Sequence, residues 1–162
     1  MYQAISSYLL TTPIFQTWSE PRRVLGRFLS IRPRDWNLPL AACKSVCGSE
    51  EPGIAAAAAL ACTQISIILV DDILDNDPRG EFQMIGAGQA VNLASTFLSA
   101  GQLAILHSQA SQEIKFNTLQ VLNEMVQVVS YGQYLDMLTL QDEGTYWQIV
   151  ESKSGVFFGS AI

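Results

Sequence analysis

Four aspartates, Asp71, Asp72, Asp75 and Asp77, fall within seven residues at the end of an otherwise apolar stretch. On a helix, Asp71 and Asp75 stand at i and i+4, sharing one face about 5–6 Å apart. Like charges at that spacing destabilise a helix by roughly a few tenths of a kcal/mol. A helix C-terminus is also the wrong pole for anions. The cluster is therefore locally unfavourable twice over, and a bound cation reverses the sign of both terms. Hard carboxylate oxygens on one face suit Mg²⁺, which takes one or two carboxylates and completes its shell with water and phosphate. The competing reading is an acidic helix end facing solvent. The apolar turn Ile65 to Val70 just before the aspartates favours the metal, with the cluster at the mouth of a buried cavity.

The element that must carry these carboxylates reads as an alanine-rich helix over 53–75. Alanine has the best helix propensity, and its small side chain lets neighbouring helices approach closely. Gly53 to Val70 is as long and apolar as a membrane span. It also holds Thr63, Gln64 and Ser66 and runs straight into two aspartates, so the expectation is a buried core helix and no transmembrane segment. Asp77-Pro78-Arg79-Gly80 ends it.

Around it, residues 4–10 read as a short helix ended by Thr11-Thr12-Pro13. A second helix begins near Glu20-Pro21, where proline is tolerated in a first turn. Pro33 to Pro39 reads as a connector, and Leu40 to Val46 as a helical piece stopped by Gly48-Ser49-Glu50-Glu51-Pro52. Helices near 87–107 and 110–138 are joined around Ser108. A last helix follows Asp142-Glu143-Gly144, with Thr145 as its N-cap. No strand pattern, repeat or linker interrupts this order, so residues 1–162 are expected to form one all-α domain.

Composition narrows the function classes. The chain is 49% hydrophobic and 15% charged, which argues for a packed domain and against disorder. Its net charge of −6 leaves no basic stripe to neutralise phosphates, which disfavours nucleic acid. The early arginines (Arg22, Arg23, Arg27, Arg32, Arg34) read as a solvated positive face. Cys43, Cys47 and Cys62 lack zinc-type spacing and read as buried or semi-buried reduced thiols, which with the absence of a basic leader points to a cytoplasmic protein.

Two later segments accompany the Asp71-Asp72-Ile73-Leu74-Asp75 run: Gly132-Gln133-Tyr134-Leu135-Asp136, and Tyr146-Trp147-Gln148-Ile149 through Lys153-Ser154-Gly155-Val156-Phe157-Phe158. In order and spacing, the DDxxD, GQxxD and Y-x2-I-x3-K-S-G segments resemble the N-terminal half of trans-isoprenyl diphosphate synthases (polyprenyl synthetases). The resemblance runs over roughly residues 38–162.

It implies an isoprenoid-synthase-type bundle of antiparallel helices around a central cavity, incomplete in this chain, and a homodimer or an association with a missing C-terminal half. It also implies Mg²⁺-dependent ionisation of an allylic prenyl diphosphate. By this resemblance Asp71 and Asp75 are the main magnesium ligands with Asp72 in support. Arg79 and Lys153 contact the diphosphate, and Gln133 and Asp136 line the polar upper cavity. Lys153 also has a plainer reading as a surface lysine, and Gln133 and Asp136 as polar contacts between helices. Ser66 and Ile67 stand where family members place bulky aromatics that floor the chain pocket, which implies room for a longer isoprenoid.

The departures are as informative. The family's G-K-x-R-P segment supplies a lysine and an arginine to isopentenyl diphosphate; here Arg34-Asp35-Trp36-Asn37-Leu38-Pro39 keeps the proline and neither of those cations. After the aspartates only Arg79 stands where a pair of arginines is usual, and the usual nearby histidine is missing. The family's second aspartate-rich motif also has no counterpart in this sequence. Three readings therefore stay open: a chain-elongating prenyltransferase, a class I terpene-cyclase-like enzyme or prenyltransferase with an acceptor other than isopentenyl diphosphate, and a non-catalytic subunit of a prenyl synthase. As an isolated chain, weak or no activity is the expectation.

Overall fold

In the computed structural model, residues 1–138, 140 and 142–162 are described, and among them the only regular structure is helical. The chain opens with α1 (Tyr2–Leu10), α2 (Pro13–Thr17) and α3 (Ser19–Ile31). A 3-10 turn at Arg34–Asn37 leads into α4 (Leu38–Cys47), and a second at Glu51–Gly53 leads into α5 (Ile54–Leu74). After the aspartates come α6 (Phe82–Ile85), α7 (Ala87–Leu106) and α8 (Gln112–Asp136). The chain ends with α9 (Glu143–Val150), a π turn at Glu151–Gly155 and α10 (Val156–Ser160).

The hub is α5. Ala57, Ala58, Ala59, Ala61 and Cys62 are all buried, and α7 lies along them through Leu93, Phe97, Ala100 and Ala104. Small residues on α5 are what permits so long a contact between two helix backbones. Helix α1 closes the same core with Ile5 and Leu9, and its Tyr8 hydroxyl donates to the Ala104 carbonyl at 2.8 Å. Phe15 of α2 meets Phe97 with ring centroids 5.7 Å apart and tilted by 59°, a geometry that adds roughly 0.5–1.5 kcal/mol beyond area burial. The stretch containing α5 is long and apolar enough to cross a membrane, yet 67% of its most apolar window is buried inside this fold.

Several expectations need correction. The N-cap of α9 is Asp142, whose carboxylate accepts from the Thr145 amide at 2.8 Å and the Thr145 hydroxyl at 2.9 Å. Aspartate reaches the third amide of the helix when it sits one residue outside it, and Thr145 is already inside. The stretch read as a connector over 33–39 holds a 3-10 turn, and α4 starts at Leu38 with Pro39 in its first turn, where its missing N–H costs nothing. Cys47 is exposed, one helical turn beyond the half-buried Cys43. The early arginines are not all solvated: Arg23 and Arg27 are ion-paired to Glu81, which is fully buried.

Candidate functional site

The C-terminal turn of α5 ends beside the C-terminal end of α8 and the π turn. Lys153 donates to Asp71 Oδ1 at 3.3 Å and to Asp136 Oδ2 at 2.6 Å. Gln133 Nε2 donates to Asp75 Oδ1 at 3.4 Å. Thus Asp71, Asp75, Gln133, Asp136 and Lys153, spread over more than half of the sequence, form one cluster.

Two local features put Lys153 there. A π turn carries one more residue per hydrogen-bonded ring than an α turn and re-aims the side chains on it; Lys153 sits in the middle of such a turn, Glu151–Gly155. That turn packs directly onto Gly132 of α8. A Cβ on Gly132 would lie 2.7 Å from Ser152 Cβ and 3.0 Å from the Lys153 backbone nitrogen. The glycine of the GQxxD segment is therefore the contact that lets the lysine reach the aspartates.

Charge is unbalanced in this cluster, with three carboxylates facing one ammonium. Burial pushes the Asp71 carboxyl above the usual carboxylate range; Lys153 pulls it back only in part, and Asp75 adds to the rise. Burial works against the Lys153 ammonium, yet its bond to Asp136 and the charge of Asp71 outweigh this and leave its pKa raised. Both directions describe a site short of positive charge.

That shortage bears on the ion expected from the sequence. Among the described residues, no three acidic, histidine or cysteine side chains converge closely enough to hold a metal unaided. Asp71 and Asp75, one turn apart with Asp75 exposed, fit the other mode, in which one or two carboxylates share a divalent ion with water and phosphate. The residues present fit Mg²⁺ in that sense.

The remaining expected residues lie elsewhere. Asp72, about 100° round α5 from Asp71, feels the α3 side: burial raises its pKa and the Asp77 charge adds to this, while Arg27 pulls it down. Arg79 is exposed and bonded to Asp77, at 3.1 Å from Nε and 2.9 Å from Nη2. The structure does not bring it to the Lys153 cluster. Among the described residues the cluster opens not onto an enclosed cavity but onto a partly open face of α5 lined by Ile67, Ile68 and Asp71, and an open cleft of about 350 Å³ lies beside Lys153, reaching to Leu138, Tyr146 and Ile149.

A further network was not foreseen. The indole N–H of the buried Trp36 donates to Gln64 Oε1 at 2.6 Å, and Gln64 Nε2 donates to Asp35 Oδ2 at 3.3 Å. Gln64 stands two turns before Asp71 on α5, at i and i+7, which is the same face of the helix. The departure from the family's basic segment at Asp35-Trp36 marked the place, but nothing in the sequence marked Gln64 as its partner.

Residues 30–162, most of the chain, match the polyprenyl synthetase family. The chain belongs to that family. No curated protein sequence matches it. Among solved structures it is similar to a geranylgeranyl pyrophosphate synthetase from the archaeon Geoglobus acetivorans, with a TM-score of 0.83 at 18% sequence identity. The match covers 99% of this chain and 55% of that one, so the chain spans about half of its structural relative. The helical bundle is thus a prenyl-synthase fold, as the three motifs implied.

Proposed function

We propose that this chain carries the allylic half of a prenyltransferase site, which binds an allylic prenyl diphosphate and ionises it. The observation that carries the reading is the meeting of Lys153 with Asp71 and Asp136, next to Asp75 and Gln133. In the reaction the bond between the allylic carbon and the diphosphate oxygen breaks, both electrons leave with the oxygen, and an allylic cation remains. Lys153 faces the place where the leaving group gathers negative charge, and a preorganised cation there stabilises the transition state more than the ground state. Magnesium held by Asp71 and Asp75 would supply Lewis-acid neutralisation of the same diphosphate. Gln133 holds the Asp75 carboxylate in place, and Asp136 keeps the Lys153 ammonium charged and aimed. Ile67 and Ile68 offer the cation an apolar wall on the same face of α5. Homodimerisation and cytoplasmic location belong to this proposal as well.

A second reading concerns the acceptor. Asp35 and Trp36 occupy the segment that resembles the family's lysine–arginine motif, and Gln64 holds both of them. An acid and a buried indole offer nothing to a second diphosphate, whose charge would stay uncompensated. This favours an acceptor other than isopentenyl diphosphate. Incubation with geranyl or farnesyl diphosphate and Mg²⁺, with and without isopentenyl diphosphate, tests both readings. Release of inorganic pyrophosphate without isopentenyl diphosphate supports ionisation with another acceptor. Elongation that strictly needs isopentenyl diphosphate removes the second reading, and failure to bind either allylic diphosphate in the presence of Mg²⁺ removes the first.

A further inference from the structure

Outside the Lys153 cluster, the most unusual group in the molecule is Glu81. It is the only charged residue in the buried class among the described residues, with no side-chain exposure. A buried carboxylate is costly unless it is paired and hydrogen-bonded. Glu81 is paired twice: Arg23 Nη2 donates to Oε1, and Arg27 Nη1 lies 3.3 Å from Oε2 as an ion pair without a hydrogen bond. The two arginines are one turn apart on α3, so a single acid joins two guanidinium groups of that helix, Arg23 standing 58 residues before it in sequence.

Glu81 also terminates the loop that follows the aspartates, and that loop is pressed against the end of α5. The Asp77 amide donates to the Asp72 carbonyl at 2.9 Å. A Cβ on Gly80 would lie 2.8 Å from Asp72 Cβ, so the loop touches Asp72 with no room to spare. On the far side Asp72 faces Arg27, the same arginine that holds Glu81. Asp71 and Asp72, neighbours in sequence, are therefore divided between two networks: Asp71 goes to Lys153, and Asp72 goes to the α3 side.

We propose that Glu81 is a positioning residue for the diphosphate site: by anchoring the 75–81 loop to Arg23 and Arg27, it fixes the rotation of the last turn of α5 and so the aim of Asp71 and Asp75. The inference rests on the function proposed above for those aspartates. Without the Glu81 charge, Arg27 keeps the attraction of Asp72, and the loop loses its tie to α3. The carboxylates that should face the diphosphate then lose their fixed direction. Outer partners of this kind typically change metal affinity or activity by about 10–100-fold when removed.

The test is Glu81→Gln, which keeps the shape and removes the charge, read in two ways. Hydrogen–deuterium exchange reads position without any ligand. The expected result is faster exchange confined to residues 72–81, including the bonded Asp77 and Gly80 amides, with α7 unchanged. Calorimetric titration of Mg²⁺ and inorganic pyrophosphate then reads function, with binding weakened about tenfold or more. Unchanged exchange overturns the proposal. So does exchange accelerated uniformly through α5 and α7, since that is global loss of stability. Local exchange with full pyrophosphate affinity overturns it too, because the loop would then move without consequence for the site. Should the unsubstituted protein bind no pyrophosphate while exchange in E81Q rises only at 72–81, the anchoring role of Glu81 stands and the reading of Asp71 and Asp75 as a diphosphate site fails.

Discussion

The Lys153 ammonium reaches Asp71 across 82 residues of sequence, at 3.3 Å, and holds Asp136 at 2.6 Å in the same grip. It stands between two carboxylates with its side chain only 22% exposed. A lysine so placed is a counter-ion for the aspartates. Under the function proposed above it is also the donor to an arriving diphosphate, and Asp71 and Lys153 are the two halves of one clamp.

Lys153→Ala should weaken pyrophosphate binding in the presence of Mg²⁺ by at least about tenfold, since hydrogen bonds to charged groups are worth roughly 1.5–3 kcal/mol. Lys153→Arg should restore part of the loss, because charge is kept while the compact ammonium is replaced by a planar fork. Calorimetric titration of the three proteins checks this. Equal affinity in the alanine variant would mean that the lysine serves only the folded state.

Gly132→Ala should destabilise the protein by about 1–3 kcal/mol, the usual cost of forcing a methyl group into a packed contact. For a chain of this size that is a fall in Tm of about 2–4 °C for each kcal/mol. The same change should reduce pyrophosphate affinity, because Ser152 and Lys153 must move off α8 to admit the methyl group. Thermal melts and titration together check the pair of effects; a melt equal to the parent's would contradict the close contact.

Trp36→Phe keeps the aromatic packing and removes the N–H that donates to Gln64. A polar atom stripped of its partner at a partly buried site costs about 1–3 kcal/mol. Denaturant unfolding should show that loss, and the double variant with Gln64→Leu should recover part of it, since both partners are then apolar. Additive losses would show that the two side chains do not act together.

The Asp142 cap gives a pH signature. Bonds first from the Thr145 amide and then from its hydroxyl hold the Asp142 carboxyl below the usual carboxylate range. A carboxylate with a lowered folded pKa contributes stability that is fully present above its unfolded value, near 4, and that is lost as pH falls through the lower folded value. The stability advantage of the parent over Asp142→Asn should therefore shrink between about pH 6 and about pH 3. Melts at both pH values check it, and a difference that grows toward low pH would carry the wrong sign.

Much of the fold was legible because its signals are local. The alanine run that becomes α5, the Asp77-Pro78-Arg79-Gly80 stop and the joint near Ser108 each rest on propensity or breaker residues within a few positions. Within the site, the three motifs marked Asp71, Asp75, Gln133, Asp136 and Lys153, and the structure brings these five together. What stayed hidden depends on tertiary contact. The π turn at Lys153 has no composition of its own and follows from packing on Gly132. Glu81 looks like any surface acid until α3 covers it, and the i, i+4 spacing of Arg23 and Arg27 was the one available hint. Asp72 and Arg79 were placed with the site by the family resemblance; in this structure Asp72 lies about 100° round α5 from Asp71, and Arg79 is bonded to Asp77 on the loop.

The most direct test of the central claim is a calorimetric titration of farnesyl thiodiphosphate, an unreactive allylic analogue, with Mg²⁺ present and absent. The parent protein and the Asp71→Asn/Asp75→Asn variant are compared, with circular dichroism confirming that both are folded. Binding by the parent that requires Mg²⁺ and disappears in the variant is the predicted result. Binding that ignores Mg²⁺, or that survives loss of both aspartate charges, would contradict the account of Asp71 and Asp75 as a magnesium-dependent diphosphate clamp.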